Sequence, residues 1–119
     1  MNIPPWLLKL FSSLDGGDVD SFVSFLTEDV VFRFGSAEPV GGGENVRVFV
    51  AQFLGGLESI SHRLEHFWEQ DGRLAIEGVV TYGLKDGRRV SVPFVDVFQM
   101  RGGKIEQYLV YIDLALLRE

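Results

Sequence analysis

The stretch Val90–Met100, VSVPFVDVFQM, decides how this chain is read. It is rich in β-branched and aromatic residues, and in a strand successive side chains point to opposite faces. One face carries Val90, Val92, Phe94, Asp96, Phe98 and Met100; the other carries Ser91, Pro93, Val95, Val97 and Gln99. Both faces are substantially apolar, which predicts a strand covered on both sides. Helices of the same chain would cover one face, and a second copy of the chain is the economical cover for the other.

Three turn signals flank this strand and its neighbours: Gln70-Asp71-Gly72, Lys85-Asp86-Gly87 and Arg101-Gly102-Gly103. They predict an antiparallel meander of about four strands. Residues 57–68 admit two periods. Leu57, Ile60, Leu64, Phe67 and Trp68 fit a helix, whereas Ile60, His62, Leu64, His66 and Trp68 alternate as a strand does. The strand is preferred, because Gly55-Gly56 ends a helix before it and Asp71-Gly72 closes a hairpin after it.

The first half reads as mainly helical. Trp6, Leu7, Leu10, Phe11 and Leu14 form one stripe, starting at Pro4-Pro5 and stopped by Asp15-Gly16-Gly17. Asp18 caps a second short helix holding Val19, Phe22, Val23, Phe25 and Leu26. Val30–Phe34 reads as a strand. Pro39 and Gly41-Gly42-Gly43 form a loop, and a third helix then presents Val46, Phe49, Val50 and Phe53 on one face. About three helices followed by a run of strands predict an α+β domain in which a strongly curved, mainly antiparallel sheet wraps around the helices. Residues 1–119 are expected to form a single domain, since this length leaves no room for a second core.

Composition removes several function classes. Hydrophobic residues make up 46% and charged residues 24%, near globular averages, which argues against wholesale disorder. No apolar run approaches the roughly 20 residues of a membrane-spanning helix, so no membrane partner is expected. Met1–Lys9 has no basic leader followed by an apolar stretch and a cleavage site, so a cytoplasmic location is expected. The absence of cysteine removes thiol chemistry and cysteine metal sites, and leaves the redox compartment undecided. A net charge of −6 argues against nucleic acid as a partner.

Asp96 is the residue most able to carry chemistry. Between Phe94 and Phe98 on the more apolar face, its carboxylate would lack water, and desolvation would raise its pKa. A neutral carboxyl group can donate a hydrogen bond to a developing oxyanion; one titrating nearer neutrality can act as acid or base. The alternative is that Asp96 only takes part in a hydrogen bond with a buried tyrosine, tryptophan, histidine or backbone amide. His62 and His66 are the only histidines. On a strand they share a face about 13 Å apart, too far to ligate one metal, so no metal site is expected. A single histidine facing a pocket is an acid/base or a polar anchor; a partly exposed, hydrogen-bonded histidine is the alternative. Gly41-Gly42-Gly43 lacks the Lys-Ser/Thr pair of a phosphate loop, and no Gly-x-Ser-x-Gly nucleophile signature occurs. Trp68, Tyr82, Tyr108 and Tyr111 offer amphipathic aromatic surface.

Taken in order along the chain, Leu14–Asp20 (LDGGDVD), Thr27-Glu28-Asp29-Val30, Asp96-Val97-Phe98, Gly103-Lys104-Ile105 and Tyr111-Ile112-Asp113 resemble the SnoaL-like and ketosteroid isomerase-like branch of the nuclear transport factor 2-like superfamily. The resemblance covers nearly the whole chain. It implies a cystatin-like cone: a curved sheet closed by helices around an apolar pocket, dimeric through the outer sheet face. It does not specify an activity, because members of the superfamily isomerise, cyclise, dehydrate, hydrolyse epoxides or only bind.

The resemblance carries some residues across and loses others. Asp96 falls where ketosteroid isomerases keep the aspartic acid of their oxyanion hole, and it is the best match to the pocket aspartate of SnoaL-type cyclases. The isomerases' general base would fall at or next to Phe34 and their oxyanion tyrosine near Leu10, so steroid isomerisation by that mechanism is not expected. Limonene epoxide hydrolases share the look of Tyr111-Ile112-Asp113-Leu114. Their catalytic set would need charged residues near Glu77, Val79 and Val110, and only Glu77 is present.

These readings together predict a homodimer that binds a small, largely apolar molecule inside the cone. As an enzyme it would perform cofactor-independent acid/base chemistry: isomerisation, cyclisation, dehydration or hydrolysis. Asp96 and His62 would be catalytic, and Phe34, Trp68, Tyr82, Phe94, Phe98 and Tyr111 would line the substrate. The alternative is a non-catalytic ligand-binding or dimerisation module of the same fold.

Overall fold

Pro4 and Pro5 open the first helix of the computed structural model, which describes residues 2–118. A missing N–H is tolerated there, and α1 (Pro5–Asp15) buries Leu7, Leu10, Phe11 and Leu14 along its predicted stripe. Asp18 caps α2 (Val19–Val23) by accepting from the Ser21 amide at 3.1 Å and from its hydroxyl at 2.7 Å. This helix is shorter than the apolar spacing predicts. Phe25 lies beyond it and Leu26 begins β1 (Leu26–Phe34), because the Phe25 carbonyl accepts from the Ile105 amide and Leu26 pairs with Ile105. Sheet pairing has overridden helical periodicity. Val40–Gly41, read as loop, forms a short β2 antiparallel to β1.

The third helix, α3 (Gly43–Gly55), turns Val46 and Val50 into the core. Four long strands follow: β3 (Leu57–Gln70), β4 (Arg73–Leu84), β5 (Arg89–Arg101) and β6 (Lys104–Ile112), then a single 3₁₀ turn at Ala115–Arg118. The sheet order is β2-β1-β6-β5-β4-β3. All neighbours are antiparallel except β1 and β6, which run parallel. The three helices pack on this open, mixed six-stranded sheet, and the α+β cone expected from the sequence is the fold observed. No helix among the described residues is long and apolar enough to cross a membrane.

The core lies between the helices and the inner sheet face. Val92, Phe94, Asp96 and Phe98 are buried on β5, while Val95 and Val97 are half-buried on its outer face. Residues 57–68 are strand throughout. That strand does not alternate evenly, however. Its pairing with β4 slips between Leu57 and Ser59 and again between Leu64 and His66. At such a bulge one extra residue shifts every later side chain to the other face. Ile60, His62 and Leu64 therefore turn inward, Phe67 takes the next inward place, and His66 and Trp68 turn out. The expectation that His62 and His66 share a face is corrected by this bulge. Gly78 and Gly83 on β4 sit opposite the two slips. A Cβ at Gly78 would overlap the Arg63 carbonyl oxygen, so that close approach depends on glycine, whereas one at Gly83 would meet Ser59 Oγ, the end of a side chain that can turn away.

Candidate functional site

Between α1, α2, α3 and the inner sheet face lies a cavity of about 60 Å³. Its wall is almost wholly carbon. Phe22, Phe32, Phe34, Phe49, Phe53 and Phe94 supply rings, and Leu14, Val50, Leu54, Ile60, Val80, Val110 and Ile112 fill between them. Four polar side chains reach this wall: His62, Tyr82, Asp96 and Tyr108. The volume lies below the roughly 300 Å³ of an ordinary ligand pocket, because the phenylalanines crowd it. Phe34 packs edge-on against Phe53 at 4.8 Å and Phe49 at 6.2 Å.

Asp96 is 3% exposed. The Tyr108 hydroxyl donates to its Oδ2 over a long 3.4 Å, and its Oδ1 is buried without a partner among the described residues. Burial therefore pushes its pKa well above the usual carboxylate range, against a smaller lowering by the Tyr108 hydroxyl. One oxygen meets a buried tyrosine, as the purely structural alternative expects, and the other is left unpaired. Tyr82 and Tyr108 are pushed up as well, by burial first and then by the Asp96 charge, so both remain phenols at neutral pH. An unpaired buried polar atom costs about 1–3 kcal/mol, which makes Oδ1 a standing demand for a hydrogen-bond partner.

His62 enters the cavity wall from β3, between the rings of Phe11 at 5.0 Å and Phe94 at 5.4 Å. Its Nδ1 lies 2.6 Å from Oδ1 of Asp15, and its backbone amide donates to Oδ2 of the same carboxylate at 3.0 Å. A carboxylate only accepts, so Nδ1 carries the proton and Nε2 is the ring atom left for a ligand. Asp15 was legible as a helix stop and not as a partner of His62. The one available signal was its place at the last residue of α1, where a negative charge opposes the helix dipole.

The predicted site residues divide. Phe34, Tyr82, Phe94, Asp96 and His62 come together at one cavity. Trp68, Phe98 and Tyr111 do not. Trp68 is 53% exposed and stacks on His66 at 5.7 Å, because the bulge turned it outward. Tyr111 is on the outer face of β6, where the Arg33 guanidinium lies 5.4 Å from its ring. Phe98 is fully buried against Tyr108 at 4.4 Å and stops short of the cavity. Glu77 also faces outward, with an oxygen 3.9 Å from His66 Nε2, so the epoxide-hydrolase pattern finds no carboxylate there. Among the described residues no three His, Asp or Glu side chains converge to hold a metal ion.

A desolvated carboxyl group and an oriented imidazole on one apolar cavity can together take a proton from carbon and steady the oxyanion that results. The open sheet curled over three helices around that cavity is the nuclear transport factor 2-like cone. Within that class the sequence profile of the SnoaL-like domain matches residues 7–108, and the chain belongs to this family. Solved structures agree on the fold. A protein with a ketosteroid isomerase-like fold from Catenulispora acidiphila, crystallised with trimethylamine, superposes with a TM-score of 0.88 at 16% identity, covering 96% of this chain and 89% of that one. A chain from Jannaschia sp. CCS1 described as a SnoaL-like polyketide cyclase gives 0.85 at 19%, covering 99% and 94%. TerC, crystallised with polyporic acid, gives 0.83 at 19%, covering 94% and 92%. No curated protein matches the sequence. Likeness at these identities is a likeness of fold.

Proposed function

We propose that this protein binds a small, largely apolar molecule in the interior cavity and moves a proton on it without a cofactor. The carrying observation is that Asp96, with Oδ1 buried and unpartnered, shares one apolar wall with a histidine whose Nδ1 is held by Asp15. His62 Nε2 takes the proton from carbon, and the Asp96 carboxyl donates to the oxygen on which charge develops. Isomerisation, aldol-type cyclisation and dehydration share that step. The alternative is a binding module that uses the same cavity without chemistry.

Proton NMR in D₂O separates the two. Small aromatic ketones such as acetophenone are incubated with the protein, and loss of the signal α to the carbonyl is followed. Exchange catalysed by the wild type and abolished in Asp96→Ala, which has no donor, with the fold retained by circular dichroism, is the expected result. Binding without exchange would favour the module; exchange unchanged in the variant would remove Asp96 from the chemistry.

A homodimer through the outer sheet face belongs to the same reading. It is supported by half-buried Val95 and Val97 and by the exposed Val31, Trp68 and Tyr111 around them. Light scattering that returns the mass of one chain would overturn it.

A further inference from the structure

The turn after β1 and the segment after β6 enclose a second hollow, a groove of about 410 Å³ lined by Phe34–Ala37 and Ile112–Ala115. Phe34 and Ile112 line both this groove and the interior cavity. The two spaces are thus adjacent, and one of the two shared residues is an aromatic ring packed on its inner side against Phe49 and Phe53. Their chemistry differs. The interior presents carbon, while the groove adds Ser36 and the exposed carboxylate of Asp113. That carboxylate accepts from the Ala115 amide at 3.0 Å. The interior alone is too small for an ordinary ligand, whereas the two spaces joined fall within the roughly 300–1,000 Å³ range of ligand pockets.

We propose that the groove is the outer subsite of the interior site, that Phe34 is the gate between them, and that the ligand is elongated: an apolar ring inside and a hydrogen-bond-donating tail, ammonium or hydroxyl, reaching Asp113. This rests on the interior binding reading. The gate makes Phe34 a specificity residue: with its ring in place only a compact apolar body fits, and with the ring turned aside the tail threads into the groove. Asp113 then selects tails that donate, since a carboxylate offers acceptors only.

Amide shifts in two-dimensional NMR test this with three probes: toluene, 4-phenylbutan-1-ol and 4-phenylbutylamine. Toluene is expected to shift interior residues such as Ile60 and Val80 only. The two tailed probes are expected to shift these and also Ser36, Asp113 and Leu114. Asp113→Asn keeps an acceptor for the Ala115 amide and is expected to weaken the amine about fivefold while leaving toluene unchanged. Phe34→Ala is expected to tighten both tailed probes, with Phe34→Leu as the milder variant should the first fail to fold. If toluene binds inside and the tailed probes never shift the groove, or if Asp113→Asn leaves the amine unaffected, the outer subsite is refuted and the interior reading stands. If no probe shifts interior residues in the wild type or in either Phe34 variant, the interior reading fails and the subsite with it.

Discussion

Asp15 holds His62 with both carboxylate oxygens, one on the ring Nδ1 and one on the backbone amide, across 47 residues of sequence. The pairing ties the end of α1 to the middle of β3, so it fixes a tautomer and a helix–sheet junction together. Asp15→Ala is therefore expected to act in two ways. Losing hydrogen bonds to a charged group is expected to lower stability by about 2 kcal/mol, read from the urea midpoint. Freeing Nδ1 is expected to slow the proposed exchange reaction about 10- to 100-fold. Nitrogen-15 shifts of His62 give the readout a purely structural role would not move: one fixed tautomer in the wild type, a mixture in the variant. An unmixed tautomer in Asp15→Ala would deny Asp15 its positioning role.

A second expectation concerns pH. Asp96 has a folded pKa raised by burial, so between its unfolded value near 3.8 and its folded value the native state keeps a proton that the unfolded state has released. The unfolded state then binds fewer protons, and stability falls as pH rises through that window, by about 1.4 kcal/mol per pH unit for one group. Stabilisation by the neutral carboxyl is fully present below the unfolded pKa and is lost toward the folded one. Asp96→Asn has no charge to release, so its own contribution to this slope is expected to vanish, and the variant is expected to equal or exceed the wild type in melting temperature at pH 7. A variant with the same pH slope as the wild type would show that Asp96 is not the group responsible.

How far the sequence carried these conclusions can be seen residue by residue. Period-2 alternation around Asp96 was enough to bury it, because a strand with two apolar faces has one consistent placement. The pairing of Asp15 with His62 was out of reach, since only tertiary packing brings the end of α1 beside β3. The faces of His66 and Trp68 were misread for a local reason. A bulge changes phase without changing composition, and its only trace in the sequence lies in the partner strand, as Gly78. Phe34, Phe94 and Phe98 were legible as residues able to fill the pocket, but not the volume of about 60 Å³ that is left, because cavity volume depends on rotamers.

Trp68 offers a prediction drawn from that misreading. It stands on the outer face, stacked on His66 and more than half exposed. Trp68→Phe is expected to leave the affinity for toluene within about twofold and stability within about 0.5 kcal/mol. The informative contrast is Tyr82→Leu, which alters the cavity wall itself and is expected to change probe affinity severalfold. Isothermal titration of both variants decides it, and a large loss in Trp68→Phe alone would return that residue to the ligand site.

Gly78 carries the last expectation. It pairs with Leu64 on the near side of the bulge, and its missing side chain leaves room for the Arg63 carbonyl. In Gly78→Ala the new methyl group would overlap that carbonyl oxygen and press on Phe94, 3.1 Å away. Neither is the free end of a flexible chain, so β3 must shift as a backbone. The variant is expected to lose about 1–3 kcal/mol by overpacking. It is also expected to perturb the amide shifts from Arg63 to Trp68 more than those of β6, because the bulge sends His62 inward and Trp68 outward. Since Phe94 also packs on His62 at 5.4 Å, the same change is expected to reach the candidate site and slow exchange even in the folded fraction. Wild-type stability with undisturbed shifts along β3 would show that the bulge does not depend on glycine at this position.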